Sequence, residues 1–235
     1  MRQIVPRPMR LSDPGGDFLD EEELKTILAT PDQQMGFYEF NCLFQGRLPA
    51  GEYDEVIYFL PMALNYILEE KDGWETLIEN FIIWLNDNES RLRKEGLWNG
   101  ILDKLTAQTT AKINAPFRLR RFTDEHHDNC FYPKGWDWFE AIDSATHTCQ
   151  TIYEETCPLL PETEILLIQR FETITSYDAA AWFIYLEANC PNLTILKTLA
   201  TDNDRKTKAI ELIHDTVLVN ELHLRFWNRE IPWIL

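Results

Sequence analysis

The sequence predicts a mostly α-helical protein made of packed helical hairpins, and three observations support this fold class. Apolar residues make up 45% of the 235 residues, which is enough to fill a sizeable core. Glycine is scarce, with only 9 residues, whereas all-β folds need many tight turns. Apolar residues recur with a helical period along most of the chain.

The length suits one large domain or two smaller ones. We expect an N-terminal helical half over 17–114, a linker or short hairpin over 115–135, and a C-terminal helical half over 136–235. The two halves are expected to form one compact domain.

The first predicted helix lies near 18–29, where acidic residues open the segment and apolar residues close it. Acidic residues in a first turn complement the helix dipole. The next apolar segment, 53–70, contains Pro61, and proline is tolerated in the first turn of a helix but not in its interior. We therefore expect a helix from Pro61 to about residue 70.

The clearest helix follows the turn at Asp72 and Gly73. Its apolar residues recur at intervals of three and four, which places them on one stripe facing the core. A further helix is expected over 90–113. The stripe consists of Trp74, Leu77, Ile78, Phe81, Ile82 and Leu85, and the inward residues of the next helix are Leu97, Trp98, Ile101, Leu102 and Leu105.

The central segment 115–135 lacks a helical period and is interrupted by prolines. Its stretch PFRLRRF alternates apolar and basic residues, so the segment is expected to be irregular or to carry a short β-strand. Helical patterns then resume, and we expect helices at about 137–155, 161–174, 178–189, 193–200 and 204–224.

Two parts of the chain share a pattern, at residues 60–88 and 160–189. In each, Leu-Pro opens one helix, a turn follows, and a second helix ends near an asparagine. A duplicated hairpin would explain the pattern and would fit a HEAT-like or related α-solenoid fragment. Chance similarity between two amphipathic helix pairs would also explain it. The chain resembles no family by motif.

The overall charge limits the classes of partner. The formal net charge is −17, so phosphate backbones and anionic lipids would be repelled. We expect no nucleic-acid or membrane partner, and a partner protein with a basic surface is favoured.

Five cysteines without a CxxC pair indicate a reducing compartment, and the N-terminus lacks a signal peptide, so we expect a cytoplasmic protein. Nothing in the sequence indicates the oligomeric state.

The charges are also segregated along the chain. Between Glu52 and Glu79 Lys71 is the only base among many acids, whereas a basic island lies between Lys112 and Arg121. A helix face that is only exposed to solvent would give the same charge pattern. A docking surface for a basic protein is the more specific hypothesis. Its predicted partner-binding residues are Glu69, Glu70, Asp72, Glu75 and Glu79.

The stretch FTDEHHDNC is the best candidate for chemistry. A zinc site needs three or four converging ligands, and His126, His127, Asp128 and Cys130 are weak candidates for them. Downstream, His147 and Cys149 should project from opposite sides of their helix and so cannot bind one ion. We therefore expect neither a metal nor a cofactor.

Known catalytic patterns are missing from the sequence. It has no HExxH, GxSxG, GxGxxG or phosphate-binding GxxxxGK[ST] motif. The metal-ligating pattern Glu-x-x-His occurs once, as ELIH, where a di-iron helical bundle needs two. The missing motifs therefore favour a protein without catalytic activity over an enzyme.

Three functional hypotheses follow from these features. The first is an acidic cytoplasmic interaction module that neutralises or scaffolds a basic partner, for example an immunity protein that blocks a nuclease-like toxin. The second is a metal-dependent or otherwise unrecognised enzyme that uses the 124–130 cluster. The third is a structural or regulatory helical protein without one tight partner.

Overall fold

Eleven α-helices and one β-hairpin build the part of the chain that the structure describes. The structure is a computed structural model and describes residues 5–13, 19–46, 48–124 and 127–213, excluding the side chains of 119–132. The mostly α-helical fold class is confirmed. The helices are α1 (Glu21–Ala29), α2 (Phe37–Leu43), α3 (Tyr53–Val56), α4 (Leu60–Leu68), α5 (Trp74–Lys94), α6 (Trp98–Ile113), α7 (Trp136–Ile152), α8 (Leu160–Phe171), α9 (Tyr177–Asn189), α10 (Thr194–Ala200) and α11 (Asn203–Leu212), with a 3-10 turn at Asp32–Gln34.

The helices belong to two packing units. Unit 1 contains residues up to 105 together with 147–159, and unit 2 contains 106–146 and the residues from 160 onward. The helix α6 therefore begins in unit 1 and ends in unit 2, and α7 runs from unit 2 into unit 1. Whether the helices form an α-solenoid stays a prediction.

The core of unit 1 forms where α2 and α4 pack on α5. All six residues of the predicted α5 stripe are buried, as their helical spacing requires. Phe44 contacts the stripe, since its ring centroid lies 5.2 Å from that of Phe81 and 5.0 Å from that of Trp84. Aromatic side chains thus join α2 to α5.

The N-terminal helix α1 begins where the acidic run predicts it. The Asp20 carboxylate accepts hydrogen bonds from the backbone N–H groups of Glu22 and Glu23, and Glu23 Oε2 accepts from the Asp20 N–H at 2.9 Å. This reciprocal cap satisfies N–H groups that the first helical turn leaves without partners. The acids here thus have a structural role.

The helix predicted over 90–113 begins later than expected, because the chain turns at Gly96. α5 continues to Lys94, and α6 begins only at Trp98. Gly96 has a φ of 72°, and the N–H of Leu97 donates to the carbonyl of Leu92 at 2.9 Å. Such a left-handed glycine closes a helix C-terminus, which is why the boundary between the two helices lies at Gly96.

The core of unit 2 surrounds α9, whose residues 179–186 are all buried. Such a helix is apolar all round because other elements cover every side of it. Trp182 lies at its centre, with ring centroids 5.3 Å from those of Phe117 and Phe139. Its Nε1 donates to the carbonyl of Ala115 at 3.2 Å, so this buried polar group is paired.

The strand expected in the central segment is confirmed as half of an antiparallel hairpin. Strand β1 (Leu119–Asp124) pairs with β2 (His127–Pro133). The register places Arg120 opposite Tyr132 and Phe122 opposite Cys130, with an irregularity between Phe122 and Asp124.

The helix α7 is shorter than its predicted range of 137–155. His147 and Cys149 project from opposite sides of the helix, as expected, because Cys149 is fully buried and His147 is exposed. The helical period also places Ile152, three residues after Cys149, on the apolar face, but its side chain is 67% exposed. The helix ends at Ile152 and Glu154 adopts a φ of 56°, so the chain turns before that face can be covered. Among the helices described, none is long and apolar enough to cross a membrane.

Candidate functional site

Five carboxylates, called here the acidic face, lie at the junction of α4 and α5: Glu69, Glu70, Asp72, Glu75 and Glu79. Glu69, Glu70 and Asp72 belong to the connecting turn, and Glu75 and Glu79 to the first two turns of α5. All are exposed except Glu79, which is half-buried. The predicted partner-binding residues are therefore neighbours along one turn and one helix end, and their binding of a partner stays a prediction.

The turn that carries the acidic face contains two residues in the left-handed region. Glu70 has a φ of 52° and Gly73 a φ of 77°. At Glu70 the turn closes α4, since the N–H of Lys71 donates to the carbonyl of Tyr66 at 3.3 Å. At Gly73 a Cβ would lie 2.7 Å from ring carbons of Phe37, so only glycine fits there.

The buried side chain of Tyr66 stabilises this turn through a hydrogen bond. Its hydroxyl donates to the backbone carbonyl of Asp72 at 2.7 Å, and the residue is 8% exposed. Burial, followed by the nearby charge of Asp72, raises the pKa of the Tyr66 phenol. The phenol therefore stays a donor at neutral pH and holds the turn in one conformation.

The acidic face has one base within it, and that base is already paired. Lys71 Nζ lies 2.8 Å from Glu69 Oε2 and 5.5 Å from the centroid of the Tyr66 ring. Glu75 and Glu79 are spaced i, i+4 and form no ion pair with any residue that the structure describes. Like charges at this spacing destabilise a helix by about 0.2–0.5 kcal/mol, which an external cation would relieve.

Unit 1 carries a second acidic region that the sequence did not reveal. Two shallow clefts, with volumes of about 360 and 510 Å³, meet at Asp87 on α5. The larger one is lined by Asn86, Asp87, Glu89, Glu154, Glu155 and Thr156. Its two walls are far apart in the sequence, so only the fold brings these carboxylates together.

The smaller cleft contains an arginine whose charge is balanced by neighbouring carboxylates. The Arg91 guanidinium lies 3.9 Å from the centroid of the Tyr53 ring, pairs with Asp54, and lies 3.4 Å from Glu95. Tyr53 Oη donates to Glu95 at 2.9 Å, and burial together with this bond raises the pKa of the phenol. The other charged residues that line the cleft are Glu52 and Asp87, so it adds to the negative surface of unit 1.

The candidate metal ligands fall outside what the structure describes. His126 is not among the described residues, and neither are the side chains of His127, Asp128 and Cys130. Elsewhere, no group of three or more His, Cys, Asp or Glu side chains in the described ranges could hold a metal ion. The predicted separation of His147 from Cys149 is confirmed, because one is exposed and the other fully buried.

Comparison with known proteins assigns neither a family nor a function to the chain. No family model, no curated protein and no solved structure matches the chain.

Proposed function

We propose that the protein is an acidic interaction module that binds a basic partner protein through the acidic face, and so neutralises or scaffolds that partner. One observation carries the proposal: five carboxylates sit on a conformationally fixed turn and helix end, and Lys71, the base among them, is engaged by Glu69. A surface of this kind attracts cationic groups and accelerates their encounter.

One concrete form of this function is an immunity protein for a nuclease-like toxin. A nuclease active site must be cationic to bind phosphate, so a rigid set of carboxylates can occupy it in place of the nucleic acid. A cytoplasmic location is part of the proposal. It is supported by the cysteines whose side chains the structure describes, Cys42, Cys149, Cys157 and Cys190, because all of them are buried and none forms a disulfide.

The test compares two double charge reversals with the same change in net charge. Glu75→Lys with Glu79→Lys alters the acidic face, whereas Glu172→Lys with Glu211→Lys alters two exposed carboxylates elsewhere in the chain. Wild type and both variants serve as baits on extracts of the native host, and the association rate of the recovered basic protein is then measured at two salt concentrations.

We expect wild type and the Glu172/Glu211 variant to bind with similar, salt-sensitive association rates, because exposed charges steer encounter over a Debye length of roughly 10 Å at 0.1 M salt. The Glu75/Glu79 variant should bind much more slowly while its stability changes by no more than about 0.5 kcal/mol. Equal losses in both variants would mean nonspecific attraction to the net charge, and a salt-independent rate unaffected by either variant would rule out the electrostatic mechanism.

A further inference from the structure

Tyr38 is an exposed aromatic side chain on α2, the helix that packs against the first two turns of α5. The ring of Phe37 lies against Gly73 at the start of α5. One turn further along α2, Asn41 Oδ1 accepts a hydrogen bond from Asn80 Nδ2 at 3.0 Å. Tyr38 lies between these two contacts and is 49% exposed, so it belongs to the helix next to the one that carries part of the acidic face.

The Tyr38 side chain is paired with a carboxylate of α1. Its hydroxyl donates to Glu23 Oε1 at 3.3 Å, and the other oxygen of Glu23 accepts from the N–H of Asp20 at 2.9 Å. Lys25, the base of α1, lies 3.2 Å from Glu21 instead. In the ranges that the structure describes, no base pairs with Glu23 and no ring or cation lies on the Tyr38 ring.

The same arrangement occurs elsewhere in unit 1 with an arginine in place. Tyr53 Oη donates to Glu95 Oε2 at 2.9 Å, and the Arg91 guanidinium lies 3.9 Å from the centroid of the Tyr53 ring. Arg91 Nε also lies 3.4 Å from Glu95 Oε1, so one guanidinium contacts both the ring and the carboxylate. The tyrosine and glutamate on α2 and α1 offer the same two groups, and their ring is open to solvent.

We propose that Tyr38 and Glu23 form an arginine site within the partner-binding surface, where a guanidinium of the basic partner lies on the Tyr38 ring and pairs with Glu23. The inference rests on the proposed function, since both sites serve one basic partner. An arginine fits better than a lysine, because its planar guanidinium stacks on a ring while its N–H groups pair with a carboxylate. Exposed tyrosines are also common among the residues that dominate binding energy.

The charges around the pair select a cationic occupant. Glu22 is exposed in the first turn of α1 and forms no ion pair with a described residue. The acidic face adds further carboxylates on the helix against which α2 packs. An uncharged side chain would leave these carboxylates without a counter-charge, and an acidic one would be repelled.

The experiment measures the binding of hexa-arginine and hexalysine peptides, which carry equal charge, to the full chain by fluorescence anisotropy. Tyr38→Leu removes the aromatic face of the proposed site. Tyr177→Leu, at an exposed tyrosine of unit 2, is the matched control. The Glu75→Lys/Glu79→Lys variant tests the acidic face in the same assay.

We expect wild type to bind hexa-arginine at least about fivefold more tightly than hexalysine, because a guanidinium gains from contact with an aromatic ring. Tyr38→Leu should remove this preference by weakening the arginine peptide alone, whereas Tyr177→Leu should preserve it. Equal binding of the two peptides to wild type, or a preference that survives in Tyr38→Leu, would overturn the inference.

The arginine site and the acidic face fail separately in this assay. If the Glu75→Lys/Glu79→Lys variant weakens both peptides while Tyr38→Leu changes neither, the arginine site is overturned and the proposed function stands. If Tyr38→Leu abolishes the arginine preference while the double reversal has no effect, the arginine site is confirmed and the acidic face is overturned.

A second measurement detects the contact itself. In NMR spectra of an isotope-labelled hexa-arginine peptide, the ring current of Tyr38 should shift the δ-methylene protons upfield on binding. The shift should persist in Tyr38→Phe, which keeps the ring, and vanish in Tyr38→Leu. A shift that is absent from wild type, or present in Tyr38→Leu, contradicts the site. Self-association of wild type that Tyr38→Leu abolishes would assign the site to an arginine of a second copy, and so overturn the proposed occupant.

Discussion

Phe81 illustrates which residues a helical period identifies. Its side chain is 0% exposed and contacts Phe44 across the core of unit 1. The period predicted this burial because a stripe with three- and four-residue spacing must face other apolar elements. The same argument failed at Ile152, since a period does not show where a helix ends and the face beyond it becomes uncovered.

Replacing Phe81 with alanine should lower the free energy of unfolding by about 3–5 kcal/mol, because the change removes buried area and leaves a cavity. Denaturant titration of wild type and variant measures the difference. Thr76→Ala, at an exposed position of the same helix, is the matched control and should change stability by less than about 0.5 kcal/mol. A similar small loss for Phe81→Ala would mean that the stripe faces solvent.

Glu55 shows what residue identity alone does not reveal. In the sequence it is one acid within an acidic run, but in the structure its side chain is 16% exposed. Its Oε2 accepts hydrogen bonds from the hydroxyl and N–H of Ser12 at 2.7 and 2.9 Å, and from the N–H of Glu52 at 2.9 Å. No local pattern connects Ser12 to Glu55, so sequence analysis could not distinguish this carboxylate from its solvated neighbours.

The environment of Glu55 predicts a pH dependence. Burial opposes ionisation, but the hydrogen bonds from Ser12 and Glu52 outweigh it and hold the pKa below its ordinary value of 4.5. A lowered folded-state pKa stabilises the fold above the unfolded-state pKa, and this contribution is lost as the pH falls through the folded-state value.

Glu55→Gln should therefore destabilise the protein at pH 7, by about 1–2 kcal/mol for weakened hydrogen bonds to a charged group. The difference from wild type should shrink as the pH is lowered below 4.5. Unfolding curves at several pH values provide the measurement, with Glu211→Gln at an exposed site as the control. A difference that stays constant down to acid pH would contradict the assigned role of the carboxylate.

At the scale of elements, the turn between α4 and α5 has two residues in left-handed conformations. Gly73 is well suited to such a conformation, and Glu70 is poorly suited to it. Gly73 and Glu70 both adopt left-handed conformations, which cost a residue with a Cβ about 1–2 kcal/mol. The sequence identified Gly73 as a turn residue by its type. It could not identify Glu70, because glutamate gives no turn signal.

We expect opposite effects from two substitutions in this turn. Gly73→Ala should destabilise by at least about 1–2 kcal/mol, since it adds left-handed strain and places a Cβ against Phe37. Glu70→Gly should raise stability by up to about 1 kcal/mol, because relieved strain exceeds the added chain entropy of glycine together with the lost interaction of the Glu70 residue.

Thermal unfolding of both variants checks these signs. If Glu70→Gly instead lowers stability, the interaction that Glu70 makes outweighs its backbone strain. If it raises stability and weakens partner binding, the strained residue is retained for recognition, as residues in sparsely populated conformations often are.

At the scale of the whole molecule, the net charge of −17 acts on the fold itself. Like charges repel within a compact structure, and salt screens this repulsion by shortening the Debye length from about 30 Å at 0.01 M to about 8 Å at 0.15 M. We therefore expect the melting temperature to rise over this range of sodium chloride.

Calorimetry at several salt concentrations measures this effect. The Glu75→Lys/Glu79→Lys variant carries less negative charge and should show a weaker salt dependence than wild type. A melting temperature that falls with salt would show that attractive ion pairs, such as Arg93 with Glu89 at 2.7 Å, outweigh the net repulsion.

Prediction of the whole molecule from sequence succeeded where the information is local. The exposure of Glu75 followed from its position off the α5 stripe, although Glu79, which also lies off the stripe, is half-buried. The larger cleft at Asp87 could not be predicted, because it needs Glu154 and Glu155 to be brought to α5 by the fold. The hairpin duplication stays a prediction: α4 and α8 both begin at Leu-Pro, but α9 ends at Asn189 whereas α5 continues past Asn88 to Lys94.

The division of the chain also affects how the protein folds during its synthesis. Unit 1 contains residues 147–159, which the ribosome makes only after the first segment of unit 2. At roughly 5–20 residues per second, the delay between residue 105 and residue 159 is on the order of several seconds. An N-terminal unit that must wait for a later segment is incomplete while the chain emerges, so the nascent chain is a natural client for chaperones.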